Sequence, residues 1–174
     1  MRNLTLLFFI LTSGTTFSQR FQNFTVDKTL DYKIKDEGKP FEVGGENFTT
    51  KSDVQIDYHN DYNLLTMPQA RLKVKGDTLL ITLEAINAAI YTKCTITIIG
   101  KKFSTSLHFT ESGETGGPKE MTTDNHKLVL SHNNFKKGQT VRGHIEFRER
   151  CLTGYCPDYI KDSKVKGNFV VTIE

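Results

Sequence analysis

The chain has 174 residues, with 23 basic and 20 acidic side chains and a formal net charge of +3. This length predicts one domain with a sizeable core. The near balance of charge argues against a nucleic-acid partner, because such proteins gather lysine and arginine on one face.

The first eighteen residues have the layout of a secretory signal peptide. Arg2 gives a positive start, residues 4–11 form an apolar run, and small polar side chains lead to a cleavage site after Ser18. Eight residues span about 12 Å as a helix, which is too short for a bilayer core of about 30 Å. We therefore expect a signal peptide over 1–18 and a single periplasmic or secreted β-domain over 19–174, with no transmembrane segment after processing.

Weak alternation of apolar and polar residues begins the mature chain. Apolar residues recur at alternate positions over 24–36 and again over 53–59, which predicts strands. Glycine and charge are frequent in 36–47 and in 111–120, and we expect loops there and in the cysteine-bearing stretch 150–162. Because loops that join strands often carry function, these three segments are the expected working surface.

Two β-hairpins are predicted in the middle of the chain. Residues 70–84 alternate on both sides of Gly76-Asp77, and residues 93–109 alternate on both sides of Gly100-Lys101. Charge is uneven here: residues 63–110 carry 2 acidic and 6 basic side chains, whereas residues 20–62 carry 9 and 6. We interpret this excess of bases as solvated strand faces.

The last part of the chain predicts two neighbouring strands with the same inward pattern. The segments 141–147 and 165–171 each contain a valine, a base and a glycine in the same order. A glycine inside a strand marks a bend, a bulge or a close approach, so we expect Gly143 and Gly167 to make room for an aromatic core residue. Glu149 is the one acidic residue that falls clearly in an apolar phase.

The alternation predicts an all-β fold of about eight or nine strands. We expect a two-sheet antiparallel β-sandwich, Ig-like in general architecture. A closed β-barrel is the alternative, and it bears on function because a lipocalin-like barrel would enclose a small apolar ligand.

The three cysteines predict one disulfide bond. Cys151 and Cys156 enclose a short loop around Gly154, and an exported protein favours a bond between them. One close pair without a second does not make a common zinc site. Cys94 is expected to be a buried free thiol, and a bridge from Cys94 to Cys151 is the alternative.

Two clusters are weak candidates for a site. Asp57, His59 and Asp61 would bind a metal or act in hydrolysis only if the chain turned to bring them together. The row Arg142, His144, Arg148 and Arg150 offers cations to an acidic ligand, although such rows more often keep a strand soluble.

No common catalytic motif occurs, so no cofactor is expected and an enzyme is the less favoured class. The first hypothesis is an exported non-catalytic binding or envelope accessory module for a protein, a glycan or a small ligand. The rivals are the lipocalin-like carrier and a hydrolase with a dispersed His/Asp site. The end of the signal, TFSQ (16–19), resembles export signals of Bacteroidota, and the tail resembles the last hairpin of small exported β-proteins from that group. The resemblance implies a bacterial envelope protein and indicates no particular family.

Overall fold

The computed structural model describes residues 21–35, 38, 40–43, 46–49, 51–58, 65–86, 90–111, 121–151 and 162–173. Most of these residues lie in β-strands. In chain order the elements are β1 (Gln22–Asn23), β2 (Thr25–Val26), α1 (Leu30–Lys33), β3 (Pro40–Val43), β4 (Glu46–Thr49), β5 (Val54–Tyr58), β6 (Leu65–Met67), β7 (Gln69–Lys75), β8 (Thr78–Ile86), β9 (Ile90–Ile99), β10 (Lys102–Glu111), β11 (Met121–Leu130), β12 (Thr140–Cys151) and β13 (Asp162–Thr172).

The strands form two large sheets and one small one. Sheet A has the order β1–β10–β9–β8–β7, and sheet B has the order β2–β11–β12–β13–β5–β6. A separate pair is made by β3 and β4. Both large sheets keep free edges, so the closed barrel is wrong and a sandwich-like arrangement of two sheets is the observed architecture.

One apolar core lies between sheet A and sheet B. It takes inward-facing side chains from both sheets, and the fully buried ones include Ile81, Ile96, Phe147 and Phe169. Burying apolar side chains on one side of each strand stabilises the fold by about 25 cal/mol for each Å² removed from water. The predicted alternation is confirmed along most of both central hairpins, where Gly76 and Gly100 take the positive φ that their turns need. It fails at Val74, predicted on the apolar side but 51% exposed, and at Ser104, predicted on the wet side but 1% exposed.

Gly143 and Gly167, which both lie within strands, are close to different groups. A Cβ on Gly143 would overlap the ring of Phe169, so the predicted approach of an aromatic residue is confirmed there. A Cβ on Gly167 would instead overlap the backbone of Asp53 and Val54, and Gly167 has a φ of 152°. The prediction for Gly167 is therefore wrong, because this glycine admits a neighbouring backbone and not a ring.

The weakly patterned start of the chain differs from the strand that the alternation predicts. Residues Leu30–Lys33 form the short helix α1. The Asp27 carboxylate accepts a hydrogen bond of 2.9 Å from the Thr29 N–H, which starts a turn where the pattern predicted extended chain. Tyr32, which was expected on the apolar side, is 86% exposed. The expected loop over 36–47 contains β3 and the first residues of β4.

Cys94 is a buried free thiol, as predicted. This finding contradicts the alternative bridge from Cys94 to Cys151. Cys156 lies outside the described residues, so its bond with Cys151 stays a prediction. None of the helices among the described residues has the length and hydropathy needed to cross a bilayer. The signal peptide over 1–18 also lies outside the described residues.

The predicted disulfide has a direct test. Thiol titration of the denatured, unreduced protein should find one free thiol, that of Cys94, because Cys151 and Cys156 are expected to be joined. Closing so short a loop stabilises the fold by only about 2 kcal/mol, so the reduced protein should remain folded. Three free thiols in the unreduced protein would contradict the bond.

Candidate functional site

The row of candidate residues on β12 lies on the outer face of sheet B. Side chains of β12 alternate, with Val141, Gly143, Ile145 and Phe147 buried and the candidates between them at least partly exposed. Each side chain of the row contacts a residue on or near β11, β13 or α1. These contacts decide whether the row is available to a ligand.

Arg142 holds α1 against sheet B. Its Nε donates a hydrogen bond of 2.8 Å to the carbonyl oxygen of Ile34, and its Nη1 lies 3.3 Å from Asp31 Oδ1. His132 Nε2 lies 3.4 Å from the other oxygen of the same carboxylate. Arg142 is therefore a link between the helix and the sheet.

Replacing Arg142 with alanine should destabilise the fold by about 1–2 kcal/mol, because the helix loses two charge-assisted contacts. Hydrogen exchange at the Lys33 and Ile34 amides should become faster, since these amides close the helix. Arg150→Ala is the matched control, because Arg150 is more exposed than Arg142 and pairs with Asp124; it should cost about 0–1 kcal/mol. Equal losses in the two variants would contradict the role of Arg142.

His144 is oriented by a chain of hydrogen bonds through β13. Asn168 Nδ2 donates to Asp53 Oδ2 at 3.1 Å, and the Asn168 N–H donates to Asp53 Oδ1. A carboxylate can only accept, so the amide oxygen of Asn168 must face His144. His144 Nδ1 lies 2.9 Å from that oxygen and must carry the proton when the ring is neutral. Nε2 is then the acceptor nitrogen.

Nitrogen-15 NMR of the histidine side chains should show this tautomer. Above the pH at which the ring is protonated, His144 should carry its proton on Nδ1 in the wild type. Asn168→Ala removes the acceptor and should shift the population toward the Nε2-protonated form. A wild-type ring protonated on Nε2 would contradict the hydrogen-bond chain.

The two remaining arginines of the row bind carboxylates of neighbouring strands. Arg148 donates from Nε and Nη2 to the two oxygens of Asp162, and these hydrogen bonds raise the pKa of Arg148. Arg150 Nη2 pairs with Asp124. Each candidate in the row therefore already has a partner in the chain, and this favours a soluble outer stripe over an open anion site.

Of the three metal candidates, Asp57 lies among the described residues. Asp57 lies on the exposed side of β5, opposite Lys164 in the register. His59 and Asp61 lie outside the described residues, so the cluster stays a prediction. Within the described ranges, no group of three or more histidine, cysteine and acidic side chains is placed to hold a metal ion.

Glu149 reaches across the core from sheet B to sheet A. It is only 2% exposed, and the Leu107 N–H of β10 donates to its carboxyl group. Burial raises the pKa of Glu149 to about 8. It also raises the pKa of the Cys94 thiol, whose strand neighbour is Leu107, with a smaller contribution from Glu149. Such a perturbed acid suggests a site, but its burial denies access to a substrate.

Polar atoms without partners accompany Glu149 in the core. Among the described residues, His126 Nδ1, Glu149 Oε2 and Ser163 Oγ are buried and have no hydrogen-bond partner. Ser163 is the register neighbour of Glu149 on β13. His126 lies between the rings of Phe103 and Phe147, and burial lowers its pKa.

His126 was not predicted to lie in the core. A bulge between Asp124 and Lys127, with Asn125 at a φ of 53°, turns this part of β11. A signal was nevertheless present, because His126 is in phase with Leu128 and Leu130, which are both buried.

The outer face of sheet A has a different character from that of sheet B. The base-rich residues 63–110 form β7 to β10, so their excess of positive charge is gathered in one sheet. Five cations occupy this outer face: Arg71, Lys73, Lys75, Lys93 and Lys102. Its acidic residue, Glu84, accepts a hydrogen bond of 2.7 Å from the Tyr91 hydroxyl. The alternation in the sequence predicts that Arg71, Lys73 and Lys75 share one side of a strand, but not that Lys93 and Lys102 share their face.

No protein-family model, no curated protein and no solved structure matches this chain. The candidate surfaces must therefore be judged on their own geometry. Two are described: the outer face of sheet B, where cations and carboxylates are paired, and the outer face of sheet A, where cations are in excess.

Proposed function

We propose that the protein is an exported, non-catalytic β-sandwich, Ig-like in general architecture, that acts as a binding or envelope accessory module. The signal-like start supports export to the periplasm or the medium. A two-sheet scaffold with a solid core supports a role at its surface, because the groups that have chemistry in the core are enclosed.

The strongest support for the proposal is that cations on the outer face of sheet B are paired with carboxylates, whereas, in the described part of the chain, those on the outer face of sheet A are not. On sheet B, Arg142, Arg148 and Arg150 have carboxylate partners, and Lys166 lies 3.6 Å from Glu146. On sheet A, within the described ranges, no ion pair engages the five cations. We infer that the outer face of sheet A is the working surface.

The two rivals of this function depend on features that can be checked. The lipocalin-like carrier needed a closed wall, which two open sheets do not supply. The hydrolase needs Asp57, His59 and Asp61 at one place. Asp57→Ala would abolish turnover of a substrate if the hydrolase were correct, and we expect no turnover in the wild type.

The binding module is tested by capture of envelope and medium components on the immobilised protein. Arg71→Glu/Lys73→Glu reverses two charges on sheet A, and Lys164→Glu/Lys166→Glu makes the same charge change on sheet B. Capture should be lost in the first variant and kept in the second, because attraction acts over about 10 Å at ordinary ionic strength. Equal capture by both variants would contradict the proposed surface.

A further inference from the structure

We propose that the outer face of sheet A, which is formed by β7, β8, β9 and β10, binds an acidic polysaccharide. The inference rests on the proposed function and names the chemical class of its ligand. Three features of the face carry it: the distribution of its cations, the position of its hydroxyl groups, and the contrast with sheet B.

The cations are spread so that each of four consecutive rows across the sheet has at least one. Strand register places four rows side by side: Gln69–Glu84–Lys93–His108, Arg71–Thr82–Thr95–Ser106, Lys73–Leu80–Thr97–Ser104 and Lys75–Thr78–Ile99–Lys102. Along β7, successive outward side chains are about 6.6–7 Å apart. A linear polyanion that runs parallel to β7 would therefore meet Arg71, Lys73 and Lys75 in turn.

The centre of the face is lined with hydroxyl groups. Thr82, Thr95 and Ser106 are register neighbours in one row, and Thr97 lies in the adjacent row. Neighbouring strands are about 4.8 Å apart, so these hydroxyls form a flat row of groups that both donate and accept. Sugar hydroxyls can use both properties, because they donate and accept, whereas an anion can only accept.

Tyr91 adds a hydroxyl that remains protonated. Its pKa is raised to about 12, first by burial and then by the hydrogen bond to Glu84. The Tyr91 hydroxyl therefore adds no negative charge to the face, and it donates to the Glu84 carboxylate. Five cations stand against Glu84 and against Asp77 in the turn between β7 and β8, so the described part of the face has a net positive charge and its complement is a negative polymer.

The sharpest test is isothermal titration with polygalacturonate and, in parallel, with neutral dextran of similar length. The wild type should bind polygalacturonate and not dextran. Affinity should fall about tenfold or more between 50 and 300 mM salt, because several charge contacts are screened together. Absence of binding, or equal binding of dextran, would overturn the inference.

Two variants separate charge from hydroxyl recognition. Arg71→Gln/Lys73→Gln/Lys75→Gln should weaken binding about tenfold or more, while Lys127→Gln/Lys164→Gln/Lys166→Gln on sheet B should change it by less than about twofold. Thr82→Val/Thr95→Val keeps shape and charge and should weaken binding about fivefold, because hydrogen bonds to the sugar are lost. Unchanged affinity in the valine variant would show a general attraction to polyanions and overturn the assignment.

Other polyanions serve as competing outcomes. Vesicles with anionic lipids or duplex DNA that bind through the same face more tightly than polygalacturonate would overturn the polysaccharide. If the component captured from the envelope through this face is destroyed by protease and not by polysaccharide-degrading enzymes, the ligand class fails while the binding module stands. If nothing is captured through this face, both fail.

Discussion

Replacing Gly143 with alanine should lower the free energy of unfolding by about 1–3 kcal/mol, and replacing it with valine should lower it further. The reason is direct: a Cβ at this position overlaps the ring of Phe169, which is fully buried between the sheets. The ring cannot turn away without opening space in a close-packed core. Urea unfolding followed by circular dichroism measures the loss.

A double-mutant cycle identifies the cause of that loss. Phe169→Leu alone should cost about 1–2 kcal/mol through lost packing, but it makes room for the new methyl group. Gly143→Ala should therefore cost less in the Phe169→Leu background than in the wild type, with a coupling of about 1 kcal/mol or more. Gly76→Ala is the control, since no atom lies near its Cβ and only its positive φ is strained. Simple additivity at positions 143 and 169 would contradict the contact.

Glu149→Gln should change how stability depends on pH. In the folded protein the pKa of Glu149 is raised to about 8 from an ordinary 4.5, so the folded state holds a proton that the unfolded chain releases. The stability that this bound proton contributes is fully present below about pH 4.5 and is lost as the pH rises through 8. Stability of the wild type should therefore fall by up to about 1.4 kcal/mol per pH unit within that window.

His126 acts in the opposite direction at lower pH. Burial lowers its pKa from 6.5, so the neutral ring is favoured in the folded state and stability from this group grows as pH rises toward 6.5. The clearest window for Glu149 is therefore pH 6.5 to 8, where the wild type should lose about 2 kcal/mol relative to Glu149→Gln. Glutamine keeps an acceptor for the Leu107 N–H and does not titrate.

Urea unfolding at several pH values within this window measures the effect. Glu146→Gln, on the outer face of the same strand, should keep the wild-type profile because Glu149 is untouched. Parallel profiles for the wild type and Glu149→Gln would mean that Glu149 is ionised in the folded protein, which its burial makes costly.

The strands that follow a strict alternation were predictable from the sequence. The hairpins around Gly76 and Gly100 have one apolar and one polar side, and a period of two has only one regular structure that explains it. The core-side positions of Gly143 and Glu149 were predictable for the same reason, because phase alone assigns both to the core side. Phase did not predict which group each strand glycine admits, since Gly143 meets a ring and Gly167 meets a backbone.

Features set by single side chains or by distant strands were not predictable. Helix α1 starts because the Asp27 carboxylate accepts the Thr29 N–H, a local contact that overrides the alternation. The bulge at Asn125 was not predictable either, although the phase of His126 with Leu128 and Leu130 was visible in the sequence. The choice between a sandwich and a barrel depends on which strands stay unpaired, and such edges leave no pattern in a single sequence.

The candidate surface shows the same limit. An excess of bases in 63–110 is visible in the sequence, but whether the bases share a face depends on register across β7 to β10. Likewise, Arg142, His144, Arg148 and Arg150 were recognisable as one row. Their acidic or amide partners lie on α1, β11 and β13, and the sequence of β12 alone does not predict which residues these are.

The outer face of sheet A as the working surface is the central claim, and lysine footprinting tests it most directly. The purified protein is acetylated with and without the envelope and medium fraction that it captures, and each lysine is quantified by mass spectrometry. Protection should appear at Lys73, Lys75, Lys93 and Lys102 and not at Lys127, Lys164 and Lys166. Protection confined to the lysines of sheet B, or equal on both faces, would contradict the claim.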